Sequence, residues 1–159
     1  MTRQQALSVI WRKLLLIFVL LLGISIPLSL LGGPFTVPLL TFIAGNVGGY
    51  VGIHRSLSGL KDQEVVELST SWLGLIVPSF VGGILACVLY TLFISGIIRG
   101  ELFPNIVNDS GAAPEDFGAI FHQHADGPAA YAKLLFWAFV AGFNQQYVVD
   151  VIDSIRSRQ

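Results

Sequence analysis

Three long stretches of this chain carry no charged residue. They cover residues 14–31, 35–53 and 72–98, and the shortest of them has 18 residues. A run of 18 or more apolar residues without charges is a candidate transmembrane helix. In lipid the backbone must satisfy its own hydrogen bonds, which favours helices over open sheets. The sequence therefore predicts an all-α integral membrane protein.

Composition agrees with this class. Hydrophobic residues make up 53% of the chain and charged residues only 12%, whereas a soluble domain carries about 25% charged residues. So few charges do not cover a water-facing surface, and the lipid bilayer is the predicted partner. The net charge of -1 provides no basic field for nucleic acid, which is not an expected partner. The single cysteine, Cys87, excludes an intramolecular disulfide.

A fourth apolar run, residues 134–149, is slightly short for a span. Pro128 is suited to the first turn of a helix, and we expect a helix from there to about residue 156. One interpretation is a fourth transmembrane helix; the alternative is a re-entrant or interfacial C-terminal helix. Residues 147–159 form an amphipathic pattern that suits a membrane surface. The whole chain, residues 1–159, is predicted to form a single helical bundle.

The distribution of basic residues predicts the orientation. With four spans, the segments before residue 14, from 54 to 71 and after 149 share one side, and the loop 99–133 lies on the other. The first side then carries seven basic residues and the second side two. The seven are Arg3, Arg12, Lys13, Arg55, Lys61, Arg156 and Arg158, and the two are Arg99 and Lys133. The positive-inside rule places both termini in the cytoplasm and the 99–133 loop outside, in a plasma or inner membrane. Three spans would reduce the split to five against four, so the bias favours the fourth span.

The second span is rich in glycine at helical spacing. Gly45 and Gly49, and likewise Gly48 and Gly52, are four residues apart. Small residues at this spacing let two helix backbones approach closely in lipid. The pattern predicts close helix packing, either between subunits or within one chain. Gly82 and Gly83 provide small residues for the same kind of packing on the third span.

Several polar residues lie at or near membrane depth, where a polar side chain needs a partner or a water-filled cavity. One interpretation is a polar path for a substrate or an ion; the other is hydrogen bonding between helices. The first three spans contain no Asp, Glu, Lys or Arg, which argues against an ion-coupled transporter. The residues are Asn46, Ser79, Thr91, Ser95, Asn144 and Gln145.

Two histidines and an aspartate, His122, His124 and Asp126, form a cluster with metal-ligand chemistry. Two imidazoles and a carboxylate are able to bind zinc with an open fourth position. The alternative is a solvated loop with ordinary histidines, since short motifs have many false positives. No metal and no cofactor is predicted.

These features lead to three functional hypotheses. The first is a non-enzymatic polytopic membrane protein that self-assembles or binds a membrane partner, as a pore or a scaffold. The second is a small channel or carrier subunit that uses the polar positions. The third is a membrane-bound, metal-dependent enzyme that uses the His122, His124 and Asp126 loop. No catalytic residue is assigned.

Overall fold

The computed structural model describes residues 2–30, 33, 35–108 and 123–145, and the chain is mostly helical there. In order, the elements are α1 (Arg3–Leu30), α2 (Thr36–Ser56), a 3-10 turn (Leu57–Gly59), α3 (Asp62–Thr70), α4 (Leu73–Ile94), β1 (Ile106–Asn108), β2 (Gln123–Ala125) and α5 (Gly127–Phe143).

Three of these helices, α1, α2 and α4, are long and apolar enough to cross a membrane. This is consistent with an integral membrane protein. The fourth apolar helix, α5, has 17 residues and is about 26 Å long at 1.5 Å per residue. It is therefore somewhat shorter than the hydrocarbon core of about 30 Å.

The helix ends differ from the limits of the apolar runs. Helix α1 begins at Arg3, because polar residues before residue 14 continue the same helix. Helix α4 stops at Ile94, where Gly96 adopts a positive φ of 69°, the conformation in which glycine terminates helices. Helix α5 starts at Gly127 with Pro128 in its first turn and ends at Phe143, with Asn144 as its C-cap. Residues 146–149 of the predicted fourth run and the tail 147–159 lie outside the described residues.

The predicted outer loop, residues 99–133, contains a short antiparallel ribbon of β1 and β2, which the sequence did not indicate. Ile106 pairs with Ala125 and Val107 with His124. Ile and Val favour the extended backbone, and pairing satisfies backbone groups that a loop would leave to water. The Asp126 amide donates to the Asn105 carbonyl at 3.0 Å, which continues the ribbon up to the start of α5.

The segment before α4 contains a short helix of its own. Helix α3 ends at Thr70, and Ser71 adopts an extended backbone with φ of -90° and ψ of 116°. The Ser71 hydroxyl accepts a hydrogen bond from the Gly74 amide at 3.0 Å. This bond satisfies one of the free amides at the start of α4. Helix α3 is therefore a separate element.

The helices define two ends of the bundle. At the α3 end, the first half of α1 packs on α3 and the end of α2 through a buried cluster of Ala6, Ile10, Leu14, Ile53, Leu57, Val65 and Leu75. At the ribbon end, Tyr90, Phe93 and Leu134 are buried together, with Val37 and Ile106 against them. Helices α2 and α5 run from the ribbon end to the α3 end, and α4 runs in the opposite direction. Helices α2, α4 and α5 form a tight three-helix core, on which α1 packs only in part.

Candidate binding cleft and glycine junction

Three helix backbones meet at one point of the core, which we call the glycine junction: Gly45 of α2, Gly82 of α4 and Gly142 of α5. A methyl group on Gly82 would lie 2.6 Å from the Gly45 carbonyl oxygen and 3.1 Å from the Gly142 Cα. A methyl group on Gly45 would lie 2.5 Å from the Cβ of Ala86. These separations leave no room for a side chain, so the junction depends on glycine at all three positions.

The other glycines singled out in the second span also contact α4 or α5 of the same chain. A methyl group on Gly49 would lie 2.7 Å from the Pro78 carbonyl oxygen. On the α5 side, a methyl group on Gly48 would lie 2.8 Å from the Phe143 nitrogen, and one on Gly52 would lie 3.1 Å from the Phe143 oxygen. One helix thus presents glycine to two neighbours on two of its faces.

Gly142 was not among the glycines selected from the sequence. Ala138 and Gly142 are both buried, and they have the four-residue small-xxx-small spacing. That spacing is the signal that would have indicated a close contact for α5. It is weaker than in α2, because alanine is common in helices of every kind.

Two of the predicted polar positions, Asn46 and Ser79, lie together between α2 and α4 beside the junction. Their side chains are buried. The Asn46 Nδ2 donates to the Phe42 carbonyl at 2.8 Å, and the Ser79 Oγ donates to the Asn46 carbonyl at 2.9 Å. Both bonds use backbone acceptors, so the two polar side chains are largely satisfied by the protein itself.

The other four polar positions lie elsewhere. Thr91 and Ser95 are exposed, and each hydroxyl donates to its own helix, to Val88 O at 2.7 Å and to Leu92 O at 3.0 Å. Asn144 is exposed at the end of α5. Gln145 lines a cavity of about 140 Å³ at the α3 end. The six positions therefore do not line one continuous path through the described part of the chain.

The histidine cluster is only partly described. His122 lies outside the described residues, His124 is half-buried in β2, and the Asp126 carboxylate accepts a hydrogen bond from the Asn105 Nδ2 at 3.1 Å. His54 is at the α3 end, with its ring centroid 4.2 Å from that of Trp11. Within residues 2–30, 33, 35–108 and 123–145, no group of three His, Cys, Asp or Glu side chains is placed to hold a metal ion.

The second half of α1 stands away from the core and leaves a cleft against α2 and α4, which we call the α1 cleft. Its volume is about 370 Å³. It runs along the second half of α1 and the first halves of α2 and α4, and it has no charged residue in its lining. The lining residues are Ile17, Leu20, Leu21, Ile24, Ser25, Leu28, Leu39, Phe42, Ile43, Asn46, Ile76, Ser79 and Phe80.

The opposite face of α1 points away from the chain. At 100° per residue, Leu15, Val19, Leu22 and Ile26 form a stripe about 180° from the side chains that line the α1 cleft; we call it the outward stripe. Leu15, Val19 and Ile26 are each more than half exposed. Gly23 lies beside this stripe, and in the part of the chain that the structure describes a methyl group there would meet no atom within 4 Å.

Comparison of this chain with models of protein families, with curated proteins and with solved structures gives no match.

Proposed function

We propose that the protein is a non-enzymatic membrane scaffold that assembles with a second copy of itself through the outward stripe of α1. The observation that carries the proposal is Gly23. Glycine disfavours a helix by about 1 kcal/mol relative to alanine in water, so a glycine within a spanning helix suggests a packing reason. The glycines of α2 and α4 and Gly142 of α5 have such a reason within the chain, whereas no atom of the described residues would lie within 4 Å of a methyl group on Gly23.

The spacing of the outward stripe supports a helix as the partner. Leu15, Val19, Leu22 and Ile26 are separated by four, three and four residues, the spacing with which two helices pack at a shallow left-handed angle. The stripe has no charge that would require a complementary partner. A two-fold axis through the outward stripe would place the same residues of two copies against each other. Two-fold symmetry is the commonest symmetry of homo-oligomers.

The core supports a scaffold rather than a pore within one chain. The glycine junction brings three backbones into contact at the centre of α2, α4 and α5. Asn46 and Ser79 bond to backbone carbonyls instead of facing a polar channel. A rigid core beside a partly detached helix suits a protein that presents α1 to a partner.

Gly23→Leu tests the proposal. The larger side chain keeps the second α1 from approaching, while the open space beside Gly23 lets the chain itself fold normally. Protein reconstituted in nanodiscs or dilute liposomes with one fluorophore per chain is counted by single-molecule photobleaching. We expect two bleaching steps for the natural chain and a shift to one step for Gly23→Leu.

Two variants serve as controls. Gly23→Ala keeps a small residue at the contact and should retain two steps. Ile84→Phe changes a side chain on α4 that is nearly half exposed and lies outside the outward stripe, so it should also retain two steps. A natural chain that bleaches in one step at all protein-to-lipid ratios, or a Gly23→Leu variant that keeps two, would show that lipid alone covers this face.

A further inference from the structure

We infer that the α1 cleft is a binding site for the hydrocarbon chain of a membrane lipid, held between α1 and the three-helix core. The site is separate from the outward stripe, because its lining lies on the opposite face of α1. The inference rests on the size of the cleft, its position and the bonding of its few polar side chains.

The size of the cleft suits a single hydrocarbon chain. The cleft extends along α1 from Ile17 to Leu28, which is three turns or about 16 Å. The cleft has about 370 Å³. A single hydrocarbon chain is slender enough to lie along such a cleft, and its length of about half the 30 Å hydrocarbon core matches one leaflet.

The chemistry of the lining favours hydrocarbon over water. A buried water needs two to four polar partners. The polar side chains here are Ser25, Asn46 and Ser79, and each already donates to a backbone carbonyl: Leu21, Phe42 and Asn46 respectively. What remains of the wall is apolar, supplied by Leu, Ile and Phe side chains of three helices. Such a wall gains dispersion contacts when it is filled by hydrocarbon and loses them when it is empty.

The surroundings explain why α1 does not close the cleft. The first half of α1 is anchored at the α3 end, where Ala6, Ile10 and Leu14 are fully buried. One turn after the anchored residues of α1, Phe18 stacks on Tyr50 of α2, with the two ring centroids 5.1 Å apart. These two large rings keep α1 and α2 apart, and from there α1 leads away from the core. The cleft therefore lies where lipid is the solvent, between a fixed anchor and a diverging helix.

Photo-crosslinking of the full chain in nanodiscs tests the inference. The nanodiscs contain phosphatidylcholine with a trace of an analogue that carries a diazirine in the middle of one acyl chain, and adducts are mapped by mass spectrometry after digestion. We expect adducts on Leu28, Leu39 and Ile43 at a frequency about tenfold above that on exposed residues such as Val88, which corresponds to a preference of one tenfold step in affinity. Equal frequencies would mean that lipid only coats the protein, and the inference would be wrong.

A filling variant adds a second readout. Ser25→Phe places a ring in the cleft and should reduce adducts on Leu39 and Ile43 about tenfold, whereas Val88→Phe on the exposed face of α4 should leave them unchanged. If Ser25→Phe does not insert or fold, as judged by circular dichroism and thermal melting, Ile43→Phe fills the same cleft from α2, and adducts are then scored on Leu28 and Leu39. Persistence of the adducts in a folded filling variant, or protein–protein crosslinks in place of lipid adducts, would overturn the inference.

Discussion

At the scale of single residues, glycine has the largest role in this molecule. At the glycine junction a hydrogen atom replaces a side chain in three helices at once, so that backbone contacts backbone. Such close contact gives van der Waals packing in a solvent where apolar surfaces gain little from leaving lipid. Beside the junction, the buried Ser79 adds a hydrogen bond across the same contact, because its hydroxyl donates to the Asn46 carbonyl.

Gly45→Ala measures how much the glycine junction contributes to the free energy of unfolding. The added methyl group would lie 2.5 Å from the Cβ of Ala86 and still closer to the Gly82 carbonyl oxygen, so α2 and α4 must separate. We expect a loss of about 1–3 kcal/mol in the free energy of unfolding, the usual cost of overpacking. Gly23→Ala is the matched control. Its methyl group meets no atom within 4 Å among the residues that the structure describes, and the variant should be neutral or stabilising by up to about 1 kcal/mol. Equal stabilities of the two variants in a denaturant titration would contradict the junction.

At the scale of elements, α1 is anchored by one half and free in the other. Its first half packs against α3 through Ala6, Ile10 and Val65, which are fully buried. Lys13 Nζ donates to the Ser69 carbonyl at 2.7 Å and lies 4.9 Å from the centroid of the Trp72 ring. The Arg3–Asp62 ion pair joins the same two helices at 2.7 Å, but both side chains are largely exposed.

Ile10→Ala should weaken this anchor far more than loss of the ion pair. Truncation of a fully buried Ile costs about 2–5 kcal/mol, whereas exposed ion pairs contribute about 0–1 kcal/mol and are screened by salt. We expect Ile10→Ala to lower the thermal unfolding temperature clearly and to speed hydrogen exchange in α1 and α3. Asp62→Asn should change neither measurement noticeably. A larger effect from Asp62→Asn would mean that charge, and not packing, holds the anchor.

At the scale of the whole molecule, charge and helix direction give the arrangement in the membrane that we propose. The N-terminus and α3 lie at one end of the bundle, and the ribbon lies at the other. The excess of basic residues at the α3 end favours the cytoplasm for that end. Helix α5 runs from the ribbon end to the α3 end, since Gly48 and Gly52 contact its last residue, Phe143. This direction favours α5 as a fourth crossing and a cytoplasmic C-terminus.

Cysteine labelling tests the proposed topology. In a Cys87→Ser background, single cysteines at Ser58, Glu101 and Ser157 are treated with a membrane-impermeant maleimide on intact cells. We expect Glu101→Cys to react and the other two to react only after permeabilisation. Reaction of Ser157→Cys from the same side as Glu101→Cys would leave three crossings and place the C-terminus outside.

The sequence by itself determined where the three long apolar helices lie, because charge-free runs of that length have few other solutions. It also located the glycine-rich face of α2, since small residues at four-residue spacing are a local pattern. The sequence did not indicate the ribbon of β1 and β2, because each strand has only three residues and the two strands pair across a long separation in the sequence.

Only the tertiary structure decided what each face of a helix touches. The meeting of Gly45 with Gly82 and Gly142 depends on the rotation and crossing of three helices, which no single segment encodes. The same is true of the α1 cleft, which arises because the first half of α1 is anchored on α3 while the second half diverges. The open space beside Gly23 became visible in the same way, since a glycine's sequence neighbours do not show whether another helix lies against it.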